Sequence, residues 1–248
     1  MNDKVIKVYK KVGETPLDCI HNLKEEHPEL DLLPMTYAGR LDPLAEGVLL
    51  ILVGDECNKK DEYLNLSKVY EVEVLFGFAT DTYDILGKLN HTIPNSFLDS
   101  ASKIQAILPE FIGKIKQLYP PYSSRPVNGK PLFMWAREGK LDEIQIPTHN
   151  VQIDSIEIID NSEISGKSLL EEIKKKISKV KGDFRQEEIL KIWEKELKNK
   201  EEEKYPVTKL KISCGSGAYM RSIANDIGQK LGVGALALKI VRTKVGDY

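Results

Sequence analysis

The chain predicts an α+β fold built around one long mixed sheet, and three observations lead there. The apolar block Val48 to Val53, closed by Gly54, suits a strand buried on both faces. Tyr70, Val72, Val74 and Phe76 alternate strictly with Glu71, Glu73 and Leu75, as in a half-exposed strand. Met220, Ile223, Ala224, Ile227 and Leu231 form one apolar helical stripe. Strands and helices are mixed in an order that fits such a sheet, and the sequence shows no internal repeat.

From the start, VIKVYKKVGETPLDCI predicts a short strand, a turn at Gly13 and a helix opened by Pro16, with Ile20, Leu23 and Leu30 on its apolar side. A polar loop holding Gly39, Asp42, Pro43 and Gly47 runs straight into the Val48 block. After the alternating strand, GFATDTYDILGKL is expected as a loop, Ser102 to Leu108 as a helix and YPPYSSRPVNGK as a second loop. Helical periodicity returns in LFMWAREG, and VQIDSIEIID alternates again. In residues 161 to 205, Leu169, Ile173, Ile177 and Val180, then Ile189, Trp193 and Leu197 after a Gly182 turn, recur at helical spacing among Lys and Glu. This predicts a charged two-helix hairpin interrupting two neighbouring strands. VTKLKISC follows as a strand, GSG as a turn, and then the striped helix. Residues 1–248 are expected as a single domain with the hairpin inserted at 161–205.

The 248 residues carry 36 Lys and Arg against 38 Asp and Glu, with 41% hydrophobic and 30% charged side chains, which excludes a disordered, collagen-like or membrane-spanning chain. No apolar run approaches the roughly 20 residues of a membrane helix. The start MNDKVIKVYKK has no signal-peptide apolar region, so a cytoplasmic location is expected. Cys19, Cys57 and Cys214 stand far apart without CxxC spacing, which supports neither a disulfide framework nor a zinc site and predicts buried thiols. The net charge of −2 leans against a nucleic-acid partner, yet it hides a distribution. Residues 206 to 248 hold seven basic residues (Lys209, Lys211, Arg221, Lys230, Lys239, Arg242, Lys244) and two acids, so that segment is +5. Residues 161 to 205 are nearly balanced, and residues 1 to 160 carry −8. An RNA surface would draw much of its charge from the final segment.

The segment Gly39-Arg40-Leu41-Asp42-Pro43-Leu44-Ala45-Glu46-Gly47 places a carboxylate in a tight loop at the mouth of a buried strand. Held rigidly beside apolar surface, such an acid suits catalysis or ligand binding; the plain alternative is a turn-capping Asp before a proline. GRLDPLAEGVLLILVG resembles the catalytic-aspartate motif of pseudouridine synthases, and DPLAEGVL in particular is similar to the TruB family, which isomerises a uridine in the T-arm of tRNA. Further motifs fall in that family's order. They are Ser67-Lys68-Val69-Tyr70; the loop Gly77 to Asp84; Phe111-Ile112-Gly113 with Gln117, approaching Tyr119 to Ser124; Cys214 to Ser222, similar to CxxGTYIRS; and Ile240 to Gly246, similar to LRRTxxG. One such motif is weak, but six collinear ones across some 200 residues are specific.

The resemblance implies a pseudouridine-synthase-like catalytic domain on a long mixed, mostly antiparallel sheet flanked by helices and loops. It also implies three catalytic residues. Asp42 matches the family aspartate that acts on the ribose, as nucleophile or as base. Arg221 matches the arginine that keeps it ionised and aimed, and Tyr70 the tyrosine that stacks on the flipped base and helps remove the C5 proton. Gly39, Leu41 and Ile240 are expected to line the substrate pocket, and Tyr37, Arg40, Arg125, Lys130, Arg137, Arg242 and Lys244 to meet RNA. An isomerisation calls for no cofactor, and His21, His27, His91 and His149 lack metal-ligand spacing. Asp81 and Asp84 read as a loop bonding to its own backbone rather than an ion site.

The chain departs from the family pattern at Lys11, Tyr37 and Pro126, which stand where a proline, a histidine and a lysine are usual. Tyr37 can stack as the histidine would but cannot become cationic near neutral pH. The hairpin at 161–205 has no counterpart in the usual pattern, which leaves a lid, a spacer or a protein contact open. A form lacking the C-terminal PUA-type RNA domain is expected, as is a monomer. The leading expectation is a pseudouridine synthase acting on structured RNA, most plainly tRNA. The rivals are a catalytically idle RNA-binding or RNA-folding paralogue and a structural protein assembled through the hairpin.

Overall fold

A computed structural model describes residues 4–92 and 101–248. The elements run β1 Lys4–Lys10, α1 Pro16–Glu26, β2 Met35–Ala38, β3 Glu46–Val53, α2 Lys60–Leu64, β4 Lys68–Phe76, β5 Phe78–Thr80, β6 Leu89–Thr92 and α3 Ala101–Ile107. They continue with β7 Gly113–Leu118, β8 Pro126–Val127, β9 Lys130–Pro131, α4 Leu132–Arg137, β10 Thr148–Ser165, α5 Gly166–Ile177, α6 Gln186–Leu197, β11 Lys204–Cys214, α7 Met220–Leu231 and β12 Ala235–Val245. Eight strands form the main sheet in the order β1-β3-β12-β4-β11-β10-β7, with β2 also on β3. Its pairings are antiparallel except β3 with β12, which meet in parallel at Glu46 with Val241 and Gly47 with Arg242. The α+β class with its mixed, mostly antiparallel sheet is thus as expected.

Local sequence explains the helix starts. Thr15 caps α1 in a capping box, its hydroxyl accepting from the Asp18 amide while the Asp18 carboxylate accepts from the Thr15 amide, and Pro16 occupies the first turn. Leu30 lies beyond that helix, in a short 3-10 turn, but is fully buried against Cys19, Ile20 and Leu23. Cys214 is also buried, whereas Cys57 is only half-buried.

The two faces of the sheet carry separate cores. Tyr70, Val72, Val74 and Phe76 pack with Ile223, Ala224 and Ile227 of α7 and with Ile104 of α3. On the opposite face Glu71 and Glu73 are half-exposed, and Glu71 pairs with Lys209 of β11 at 2.6 Å. Leu75 breaks the expected half-exposed pattern: it is fully buried because α5 and α6 cover that end of the sheet. Leu169, Ile173, Ile177, Ile189, Trp193 and Leu197 form this second core together with Leu44, Ile85 and Leu86.

Three strands of the main sheet escaped the sequence reading, β2, β7 and β12, and the two segments expected as loops hold the β5–β6 and β8–β9 hairpins. The inserted helices also start later than 161: β10 and β11 continue pairing through Asn161 with Thr208 out to Ser165 with Lys204, so α5 springs from the tip of a long ribbon.

A buried ion pair in the candidate active site

Asp42 lies in the loop between β2 and β3, and two side chains fix that loop. Lys10, at the end of β1 and wholly buried, donates from Nζ to the carbonyls of Ala45 at 2.6 Å and of Lys11 and Asp42 at 3.2 Å each. Burial pulls its pKa down to about 8, and the three carbonyls satisfy its donors. Arg242 of β12 donates from Nε to the Val48 carbonyl at 2.7 Å and from Nη2 to the Gly39 carbonyl at 3.0 Å, clasping both ends of the loop. Between them Gly47, at φ +117°, passes so close to β12 that a Cβ would lie 2.2 Å from the Arg242 carbonyl oxygen. Lys68 pins the following turn through the carbonyls of Leu64, at 2.7 Å, and Leu66.

The side chain of Asp42 points out of this scaffold into Arg221, in the first turn of α7. Nε donates to Oδ2 at 2.7 Å and Nη2 to Oδ1 at 3.2 Å, a two-pronged pair. The arginine is 3% exposed, while the Asp42 side chain keeps 35% exposure and stays reachable. Two backbone carbonyls complete the arginine's shell: Thr82 accepts from Nη1 at 2.6 Å and Tyr122 from Nη2 at 3.4 Å. Asp84, buried, lies 3.8 Å from Nε. Burial works against the guanidinium charge, yet Asp42 and Asp84 outweigh it and hold its pKa above the ordinary arginine value. Asp84 itself is pushed up to about 6, by burial first, against the pull of Arg221 and the Thr82 hydroxyl.

Gln117 holds the start of α7, where the Tyr219 side chain offers no cap. Buried under the helix, it donates from Nε2 to the Tyr219 carbonyl at 3.1 Å and accepts from the Tyr219 amide at 2.9 Å. Tyr70, on β4 opposite Arg242, is buried beside the same cleft, and that burial raises its phenol pKa.

The cleft encloses about 760 Å³, and Tyr37, Gly39, Arg40, Leu41, Asp42, Tyr70, Arg137, Arg221, Ile240 and Arg242 all line it. Arg125, Lys130 and Lys244 lie outside that lining. Arg125 is exposed with its guanidinium 5.1 Å from the Tyr119 ring centroid, Lys130 is engaged by Glu138 at 2.6 Å, and Lys244 stands exposed on β12. Arg242 departs from its expected place on an RNA-facing surface: it is 1% exposed and spends its donors on the loop that carries Asp42. Tyr37 accepts from Arg40 Nη2 at 3.1 Å, and Lys60 Nζ stands 5.2 Å from its ring centroid.

The loop reading of Asp81 and Asp84 describes their local bonds: Asp84 Oδ1 accepts from the Thr82 hydroxyl at 2.6 Å and the Leu86 amide at 3.0 Å, and Asp81 Oδ1 from the Lys88 amide at 2.8 Å. It missed that Asp84 also faces Arg221 and Asp81 also faces Arg185. Nothing in the sequence around Lys10 or Arg185 marks either residue, since their partners lie 32 and 104 residues away. Among the described residues no cluster of His, Cys, Asp or Glu could hold a metal ion, and no helix is long and apolar enough to cross a membrane.

A family model described as the N-terminal domain of TruB family pseudouridylate synthases matches residues 32–182. A "tRNA pseudouridine synthase B" of Nostoc sp. is 33% identical over 98% of this chain and 67% of its own length. Another of that name from Ligilactobacillus salivarius is 31% identical over 99% of this chain and 68% of its own. A Cbf5-Nop10-Gar1 complex contains a chain of similar fold, with a TM-score of 0.56 at 18% identity, covering 98% of this chain and 48% of that one. The chain therefore spans about two thirds of these curated relatives and about half of that solved structure.

Proposed function

The chain belongs to the TruB family of pseudouridylate synthases, and from that membership we propose that it isomerises a uridine in the T-arm of tRNA, with Asp42, Arg221 and Tyr70 as its catalytic residues. The two-pronged Arg221–Asp42 pair at the wall of the cleft carries this reading. Pseudouridine formation breaks the N1–C1′ bond, turns the base and joins C5 to C1′, so it needs a carboxylate aimed at the sugar and an enclosed space in which the base can turn. Asp42 adds to C1′ or removes a ribose proton; either route requires an oriented carboxylate, and the two-pronged bond from Arg221 aims it. The uridine leaves its stack to enter the cleft, where Tyr70 offers an aromatic face. Burial raises that phenol's pKa and keeps it neutral, so Tyr70 relays a proton: it accepts the one lost from C5 as it passes its own on toward N1, which is freed from C1′ and protonated in the product.

Exposed Arg40, Arg125 and Lys244 meet the RNA backbone. An idle RNA-binding paralogue would have no use for a reachable carboxylate gripped by a buried guanidinium beside a buried tyrosine. The test is incubation with uridine-labelled tRNA and scoring of pseudouridine, beside Asp42→Asn. Product from the wild type alone is expected. Tight binding without product would favour the idle paralogue, and equal product from both proteins would remove Asp42 from the mechanism.

A further inference from the structure

The joint between α5 and α6, residues 178–185, is part of the active-site wall. Its backbone rests on the β1–α1 turn so closely that a Cβ on Gly13, at φ +87°, would lie 2.2 Å from the Lys179 carbonyl oxygen. The Gly13 amide in turn donates to the Pro43 carbonyl at 2.9 Å, next to Asp42. At its other end Arg185 adopts a left-handed conformation, φ +64°, uncommon for a residue with a side chain.

Its guanidinium grips two loops at once. Nη1 donates to Asp81 Oδ2 at 2.6 Å and Nη2 to Oδ1 at 3.3 Å, while the guanidinium carbon sits 4.4 Å from the centroid of the Tyr122 ring. The side chain is 18% exposed and its charge is matched by Asp81, so it is a poor free phosphate contact. The residue after Asp81 is Thr82, whose carbonyl holds Arg221; Tyr122, beneath the guanidinium, supplies the other carbonyl that holds Arg221.

We propose that Arg185 is a positioning residue for the isomerisation: from the wall of the cleft it clamps the 80–86 and 119–125 loops, so that their carbonyls keep Arg221, and through it Asp42, in register. The hairpin, on this account, supplies part of the site's scaffold. The proposal rests on the functional reading above for its consequence, and on geometry alone for the clamp.

Two measurements on the full chain separate these. In hydrogen–deuterium exchange, Arg185→Ala should raise exchange in the 80–86 and 119–125 segments relative to wild type. In single-turnover reactions with enzyme in excess over tRNA, the same variant should lose about tenfold or more in rate, while its tRNA dissociation constant changes by less than about threefold. Arg185→Lys, which keeps the charge and loses the planar fork, should fall between the two. Unchanged exchange in those loops would overturn the clamp whatever the protein's activity. A wild-type rate in Arg185→Ala, or an affinity loss as large as the rate loss, would overturn the positioning role, the latter making Arg185 an RNA contact. A wild type that forms no pseudouridine on any RNA would sink the functional reading, and the exchange result would still decide the clamp.

Discussion

At the scale of single residues, the site depends on Arg221 being a planar fork rather than a point charge. Arg221→Lys keeps the charge but cannot span Asp42 in two places and reach the Thr82 carbonyl as well. Its single-turnover rate should fall about a hundredfold, with tRNA affinity nearly unchanged. Tyr37 invites a different substitution. Because it engages Arg40 and lies near Lys60, Tyr37→His should stay within about threefold of the wild-type rate, whereas Tyr37→Ala should lose about tenfold through lost stacking on the displaced base. Asp84 yields a pH signature. Its folded carboxyl is pushed up to about 6 from 3.8, so the folded protein binds that proton more tightly than the unfolded chain. The associated stability is fully present below the lower value and is lost as pH rises through the upper one. Asp84→Asn never ionises, so its unfolding free energy relative to wild type should climb by on the order of 1–2 kcal/mol between pH of about 4 and about 7. Urea titrations at several pH values would show this, and a flat difference would refute the shift.

At the scale of elements, Trp193 of α6 ties the inserted helices to the rest. It is fully buried with its ring 5.2 Å from that of Phe78, at the start of the hairpin that carries Asp81 and Thr82. Trp193→Ala should cost about 3–5 kcal/mol in chemical denaturation, since the surrounding side chains belong to rigid elements that cannot collapse into the void. The helices themselves were legible, because an apolar residue recurring every three or four positions among Lys and Glu has one physical solution. So was β4, up to Leu75, whose burial depends on helices about a hundred residues later in the chain. β2 was not legible: Met35–Ala38 is short, lacks alternation and owes its form to its pairing with β3. At the site, Asp42 and Arg221 were found through motif order, and the motif Gln117 has its physical reason as the missing cap of α7. Arg185 had no such signal, since a left-handed arginine and a partner 104 residues away are products of the folded chain.

At the scale of the whole molecule, the near balance of total charge has a measurable result. Arg221 and Arg242 are buried, leaving Arg40, Arg125, Arg137 and Lys244 as the exposed members of the expected RNA-contact set. If these four face phosphates, the logarithm of tRNA affinity should fall with the logarithm of salt concentration at a slope of about −3. A slope twice as steep would place further lysines on the RNA. The position of β12 bears on the making of the protein. It follows every other described strand in the chain yet stands third in the sheet, between β3 and β4. During synthesis the strands on either side emerge first, and they have no edge in common to pair along until β12 arrives. The same late segment delivers Arg242 to the loop around Asp42. Lys10 and Arg221 thus precede β12 in the chain, and the clasp of Arg242 on the loop around Asp42 is the part of that scaffold made after them.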